Sequence, residues 1–167
     1  MFNPLSSVVR LFGGLFRRPP FEALRAEQSD ALATLLWASV HADGEPTSAE
    51  AEALDGLMAE LPTYWQDNGE ERLMALRDAL FAADAAGKMT EHLQAQATAL
   101  ADFADKELIV ATLIAASKEH WREGANTLTA AERAFLRPIA GWLGVDSARF
   151  DALADDPGQA LDAHKRI

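Results

Sequence analysis

Residues 35–50 read LLWASVHADGEPTSAE and contain the end of an apolar helix, an acidic turn and the start of a second helix. Asp43-Gly44 and Pro46 end the first helix, because glycine readily adopts a turn conformation and proline cannot continue a helix. Thr47 and Glu50 have the spacing of a capping box, in which each side chain binds a backbone N–H at the start of a helix. The stretch therefore predicts a helix–acidic turn–helix unit.

A similar pattern lies in the other half of the sequence. Residues 129–136 (TAAERAFL) match residues 47–54 (TSAEAEAL), and residues 113–117 (LIAAS) match residues 35–39 (LLWAS). Two similar units about half a chain apart indicate a duplication whose copies pack around a pseudo-two-fold axis. The alternative is that helices rich in alanine, leucine and glutamate resemble one another by chance.

Helical periodicity extends through the rest of the chain, and no segment alternates as a β-strand does. These patterns predict an all-α protein, a compact bundle of about seven helices from two duplicated helix–acidic loop–helix halves. The helices are expected at about residues 21–42, 48–62, 70–86, 90–104, 105–123, 129–143 and 147–154. One domain is expected over residues 21–155, with an amphipathic segment at residues 1–20 and a tail at residues 156–167.

Charge and composition narrow the classes of partner. The 167-residue chain has a net charge of −11, and no lysine or arginine occurs between Arg25 and Arg72. Such a surface repels phosphate backbones, which excludes nucleic acid as a partner of the helical body. A divalent cation or a basic protein surface fits this charge, and acidity that only keeps the protein soluble is the alternative. The absence of cysteine excludes disulfides and thiolate metal sites.

Residues 1–20 differ from the rest, because they carry basic but no acidic residues. Apolar residues recur at helical spacing, at Leu5, Val8, Val9, Phe12, Leu15 and Phe16. The run is too short and too interrupted to span a bilayer, and it lacks a convincing signal-peptide cleavage site. We expect it to lie on an anionic membrane surface, to dock on the protein's own body or to bind a partner's groove.

The ordered set of motifs resembles the TerB-like (tellurite-resistance) domain family. Members of that family look like two copies of a helix ending in Ala-x-Ala-Asp-Gly, followed by Thr or Ser and, three residues later, Glu. Residues 39–50 match the first copy closely, whereas residues 119–126 replace the second Asp-Gly with a longer loop. The second Thr129-x-x-Glu132 is intact, and the following residues, up to Phe150, are similar to the family's last helices. The resemblance covers about residues 25–155 and implies the same bundle fold.

The acidic loops are the candidate site. Asp43, Glu45 and Glu50 surround one tight turn, and calcium or magnesium prefers such oxygen ligands. The family resemblance implies metal contact at Asp43 and Glu50 in the first copy and at Glu132 in the second. Glu119 and Glu123 are loose substitutes for the missing second aspartate. The structural alternative is that Glu50 and Glu132 serve only as helix caps, which explains both residues without a ligand.

No catalytic motif occurs in the chain, so we expect a non-catalytic module. The resemblance implies a bacterial stress-response or envelope-associated protein that binds a divalent cation, a protein partner or both through its acidic loops. The first alternative is an adaptor tethered by residues 1–20, and the second is a helical metallohydrolase using His41, Asp43 and His120. The expected location is cytoplasmic or peripheral at the inner membrane, and no small-molecule substrate is identified.

Overall fold

Two helices without a polar side form the centre of the molecule. The computed structural model describes residues 21–42, 44–117 and 128–157, in which α1 is Ala26–Val40 and α5 is Lys106–Ser117. Residues 31–36 of α1 and residues 108–117 of α5 are all buried. A helix that is apolar on every side needs neighbours on every side. Accordingly, α1 packs against the five helices that follow it.

The surrounding helices complete an all-α bundle, as predicted. They are α2 (Ser48–Ala59), α3 (Gly69–Ala85), α4 (Met89–Ala99), α6 (Ala130–Trp142) and α7 (Ser147–Asp155), with a 3₁₀ turn at Pro62–Trp65. The described ranges contain these seven α-helices and no strand. One apolar core joins side chains from all of them. None of the helices in these ranges has both the length and the hydropathy that crossing a bilayer requires.

The predicted helix boundaries lie close to those in the structure. The two largest differences are the start of α1 and the end of α4. α1 begins at Ala26 rather than Phe21, because Phe21 and Leu24 bury their side chains from a turn that precedes the helix. α4 ends at Ala99 rather than 104, and the Asp105 side chain accepts the Leu108 N–H at 3.0 Å where α5 starts. The expected part of α5 beyond Ser117 lies outside the described residues.

The 3₁₀ turn was not predicted, and a buried polar network holds it against α1. The Thr63 backbone N–H donates to the Ser29 hydroxyl at 3.0 Å, and the Thr63 hydroxyl donates to the Asp30 carboxylate at 2.9 Å. The other Asp30 oxygen accepts from Arg72 of α3 at 2.7 Å. Because Ser29, Asp30 and Thr63 hydrogen-bond one another, Ser29 and Thr63 can be buried between α1 and the turn without leaving an unpaired donor, while Arg72 of α3 binds Asp30 from the exposed side. The network thereby positions the residues that follow Thr63.

The two central helices contact each other at residues that the sequence repeat makes equivalent. The Ser117 hydroxyl of α5 lies 3.3 Å from the Ser39 carbonyl oxygen of α1 and 3.0 Å from the Leu113 carbonyl oxygen of its own helix. The Ser39 hydroxyl donates in the same way to the Leu35 carbonyl oxygen, at 2.7 Å. Contact between equivalent residues is what a two-fold arrangement produces near its axis. The duplication of the two halves stays a prediction.

Candidate functional site

Both predicted capping boxes are present, with nearly the same geometry. The Glu50 carboxylate accepts the Thr47 N–H at 2.7 Å, and the Thr47 hydroxyl accepts the Glu50 N–H at 3.2 Å. The corresponding distances for Thr129 and Glu132 are 2.9 Å and 3.2 Å. Both glutamates are buried. One carboxylate oxygen of each is therefore committed to the start of its helix, α2 or α6.

Replacing either cap threonine by alanine should destabilise the protein by about 1 kcal/mol, because the first turn loses the acceptor for one N–H. Serine keeps the hydroxyl and should retain most of the stability. The free energy of unfolding of Thr47→Ala, Thr129→Ala and the double variant, measured in urea, checks this. We expect the two losses to add, since the boxes lie on different helices. An alanine variant as stable as the wild type would contradict the assigned role.

The structure brings together only part of the predicted metal set. Glu45 is exposed on the turn, whereas Glu50 and Glu132 are buried in their capping boxes. Asp43, Glu119 and Glu123 lie outside the described residues. Within residues 21–42, 44–117 and 128–157, no group of three or more histidine, aspartate or glutamate side chains is arranged to hold a metal ion.

His41 follows the last residue of α1, and its side chain packs against other residues of the described chain. Its Nδ1 lies 2.8 Å from the Trp37 carbonyl oxygen, and because a carbonyl only accepts, Nδ1 carries the hydrogen. Its ring packs edge-on against Phe81 at 5.3 Å between centroids. The other residues of the suggested hydrolase, Asp43 and His120, lie outside the described ranges. The hydrolase therefore stays an untested alternative.

The described charges are unevenly compensated. All six arginines that the structure describes form ion pairs with its own carboxylates: Arg25, Arg72, Arg77, Arg133, Arg137 and Arg149. In contrast, no described cation pairs with the carboxylates on and beside α2: Glu22, Glu45, Glu52, Asp55 and Glu60. The surface around α2 is therefore one region of the described molecule where negative charge is left uncompensated. Glu70 and Glu71 of α3 and Glu91 of α4 likewise form no ion pair with a described residue.

This surface contains two pairs of carboxylates, and within each pair the two negative charges repel each other. Burial raises the pKa of Glu60, and the neighbouring Glu22 carboxylate raises it further. Burial also raises the pKa of Asp55, with a second contribution from the Glu52 carboxylate. Both shifts mean that the folded protein disfavours the ionised form of these groups. A cation placed beside either pair would remove the repulsion.

The Glu22–Glu60 pair lies in a cleft that sequence reasoning missed. The cleft has a volume of about 330 Å³ and is lined by Glu22, Glu60, Pro62, Trp65 and Gln66. This volume is at the lower end of the range for small-ligand sites. The cleft forms where the chain before α1 meets the end of α2 and the 3₁₀ turn. Residues so far apart in sequence gave no motif that could have revealed it.

Trp65 forms an aromatic wall of this cleft. It is the most exposed large apolar side chain among the described residues, with 75% of its surface accessible. Its indole N–H nevertheless donates to the Ala59 carbonyl oxygen at 2.6 Å, at the end of α2, where carbonyls lack helical partners. The Tyr64 ring packs edge-on against it at 5.1 Å. The indole is thus fixed in place while a large part of it stays open to solvent.

Removing the Glu60 charge should stabilise the protein at neutral pH. A raised pKa means that the folded protein holds this proton more tightly than the unfolded chain does, so ionised Glu60 opposes folding. Glu60→Gln should therefore raise the melting temperature at pH 7. The gain should vanish as the pH falls below the ordinary glutamate pKa, where the wild-type carboxyl is protonated in both states. Calorimetry across that pH range checks the sign, and a lower melting temperature at pH 7 would contradict it.

Comparison of the chain with protein-family models, with curated proteins and with solved structures gives no match. The resemblance to the TerB-like family therefore stays a prediction that rests on the motifs of residues 25–155.

Proposed function

We propose that this chain is a non-catalytic helical module that binds a positively charged protein partner through the acidic turn and the surface around α2. The observation that supports it most directly is the uncompensated charge there. Five carboxylates form no ion pair with any described residue, whereas every described arginine forms one with a carboxylate of the chain. Their mutual repulsion weakens when a partner brings cations. A field of one sign also accelerates association with a partner of the opposite sign.

The TerB-like resemblance and the setting that it implies, bacterial stress response or the cell envelope, belong to this proposal. The order of helices and the two capping boxes support it, because they follow the family's pattern of two helix–turn–helix units. The module's role there would be to hold a partner rather than to transform a substrate.

A divalent cation, calcium or magnesium, is the second candidate ligand of the acidic turn. The specific feature that favours it is the Gly44–Glu45 turn, where Gly44 has φ +129° and Glu45 is exposed without an ion pair to a described residue. Titration with calcium, magnesium, manganese and zinc tests this candidate. Heat of binding and a rise in melting temperature are expected if a site exists, since a ligand that binds only the folded state stabilises it. If none of the four ions gives heat of binding or raises the melting temperature, the divalent-cation candidate is rejected.

The protein partner is tested with charge-matched peptides. An arginine-containing peptide should bind the full chain with saturable one-to-one stoichiometry and with an affinity that falls as salt is added. A peptide of the same length with glutamate in place of arginine should not bind. If the basic peptide gives only weak, unsaturable binding that all regions of the surface share, the acidity serves solubility and the proposed function fails.

A further inference from the structure

We infer that the cleft lined by Glu22, Glu60 and Trp65 is the pocket in which this module holds one arginine side chain of its basic partner. The inference rests on the proposed function and adds the position and chemistry of the recognition site. Three features carry it: two carboxylates without a partner among the described residues, an exposed aromatic face and a concave surface between them.

The carboxylates provide the charge. Neither Glu22 nor Glu60 has an ion pair or a side-chain hydrogen bond with any residue of the described ranges, and Glu60 is half-buried. The two groups are near enough for the charge of one to disfavour ionisation of the other. A cation bound between them replaces this repulsion with two attractions. Binding should therefore be stronger when both carboxyl groups are ionised.

Trp65 provides the surface on which a planar cation can stack. A cation over an indole face is attracted by the ring's electron density, and indole is the best of the aromatic side chains for this. The hydrogen bond from Trp65 to the Ala59 carbonyl oxygen holds the ring before any ligand arrives. A ring that is already ordered loses little further conformational entropy on binding, so more of the interaction energy appears as affinity.

Arginine fits this combination better than lysine or a calcium ion does. Its flat guanidinium can stack on an indole and, at the same time, donate paired hydrogen bonds to a carboxylate. A lysine ammonium offers neither the flat face nor the fork of donors. Calcium needs about six to eight oxygen ligands, which two carboxylates beside an apolar ring do not supply. The additional carboxylates on α2 favour a basic protein segment over a single free cation.

The test uses the full chain and a short blocked peptide with one arginine among glycines and serines. Citrulline in the same position provides a neutral control of nearly the same shape. The indole N–H resonance of Trp65, assigned by its loss in Trp65→Phe, reports binding in the cleft. We expect this resonance to shift and saturate with the arginine peptide and not with the citrulline peptide. The double variant Glu22→Gln/Glu60→Gln should bind about tenfold more weakly, as expected for the loss of close charge pairs.

Two controls separate recognition from folding. Glu91→Gln makes the same change of charge at an exposed residue of α4 outside the cleft, and it should leave binding nearly unchanged. The double variant should melt no lower than the wild type, because it removes repulsion. Loss of affinity together with unchanged or increased stability is a result that a merely structural role for these glutamates would not give.

The other outcomes overturn different statements. Equal binding by wild type and the double variant, or a peptide that shifts resonances elsewhere but not Trp65, would reject the cleft and leave the proposed function standing. Spermidine binding in the cleft more tightly than the peptide would reassign it to a free polyamine. If no basic peptide binds the chain at all, the proposed function fails and the inference fails with it.

Discussion

Gly69→Ala should destabilise the protein by about 3 kcal/mol, near the upper end of what overpacking a tight contact usually costs. Gly69 opens α3 and lies directly against the 3₁₀ turn. A Cβ atom there would overlap the Tyr64 carbonyl oxygen and would lie 2.6 Å from the Thr63 carbonyl oxygen. Both are backbone atoms, so neither can rotate away as a flexible side chain would. The turn or the start of α3 must move.

The consequences should extend to the cleft. Movement of the 3₁₀ turn pulls Thr63 away from Ser29 and Asp30 and displaces Trp65 from the end of α2. The surviving folded protein should therefore also show a shifted Trp65 indole resonance and weaker binding of the arginine peptide. Urea unfolding followed by circular dichroism gives the stability, and the indole resonance gives the local effect.

Gly141→Ala is the matched control. Gly141 lies in α6, is exposed, and has open space where its Cβ would be. The same substitution should here increase stability by roughly 0.5–1 kcal/mol, because alanine loses less conformational entropy than glycine in a helix. Opposite signs for the two variants are expected. Equal effects at both positions would contradict the close backbone approach at Gly69.

The contrast between these glycines shows what the sequence could and could not reveal. Helix periodicity predicted all seven helices, and the Thr-x-x-Glu spacing predicted both capping boxes, because these are interactions between residues three or four apart. Asn68-Gly69 is visible as a turn signal. That the turn must admit the backbone of residues 63 and 64 depends on tertiary packing, and no local pattern records it.

The same limit separates the two candidate sites. The acidic turn was found from the sequence because Asp43, Glu45 and Glu50 are close along the chain. The cleft was missed because its carboxylates are far apart in the sequence, Glu22 before α1 and Glu60 after α2, and because Trp65 comes from an unpredicted 3₁₀ turn. Nothing in the sequence distinguishes these residues from other surface glutamates and tryptophans. Their relation exists only after α1 and α2 have packed.

Phe150→Ala should destabilise the protein by about 3–5 kcal/mol, the usual cost of truncating a fully buried phenylalanine. Phe150 belongs to α7, is fully buried, and packs where α7 meets α5 and α6. The Arg137 guanidinium lies 5.0 Å from the centre of its ring and forms an ion pair with Asp151, which also belongs to α7. Alanine leaves a cavity and removes the aromatic surface beneath this arginine. Phe150→Leu keeps most of the volume and should cost much less.

The Phe150→Ala variant also distinguishes an effect on the stability of the helical bundle from an effect on peptide binding. Besides Phe150, the paired hydrogen bonds of Arg149 to Glu107, both at 2.9 Å, attach α7 to α5. Because the Phe150→Ala variant keeps only these polar contacts at that point, we expect α7 to loosen before the rest of the bundle. A smaller denaturant dependence of the unfolding free energy would reveal this partial opening.

The arginine peptide should still bind the folded fraction with wild-type affinity, because none of the residues lining the cleft belongs to α5, α6 or α7. A variant that stays fully stable would contradict the role of Phe150. A fully folded variant that loses the peptide would contradict the position assigned to the binding site.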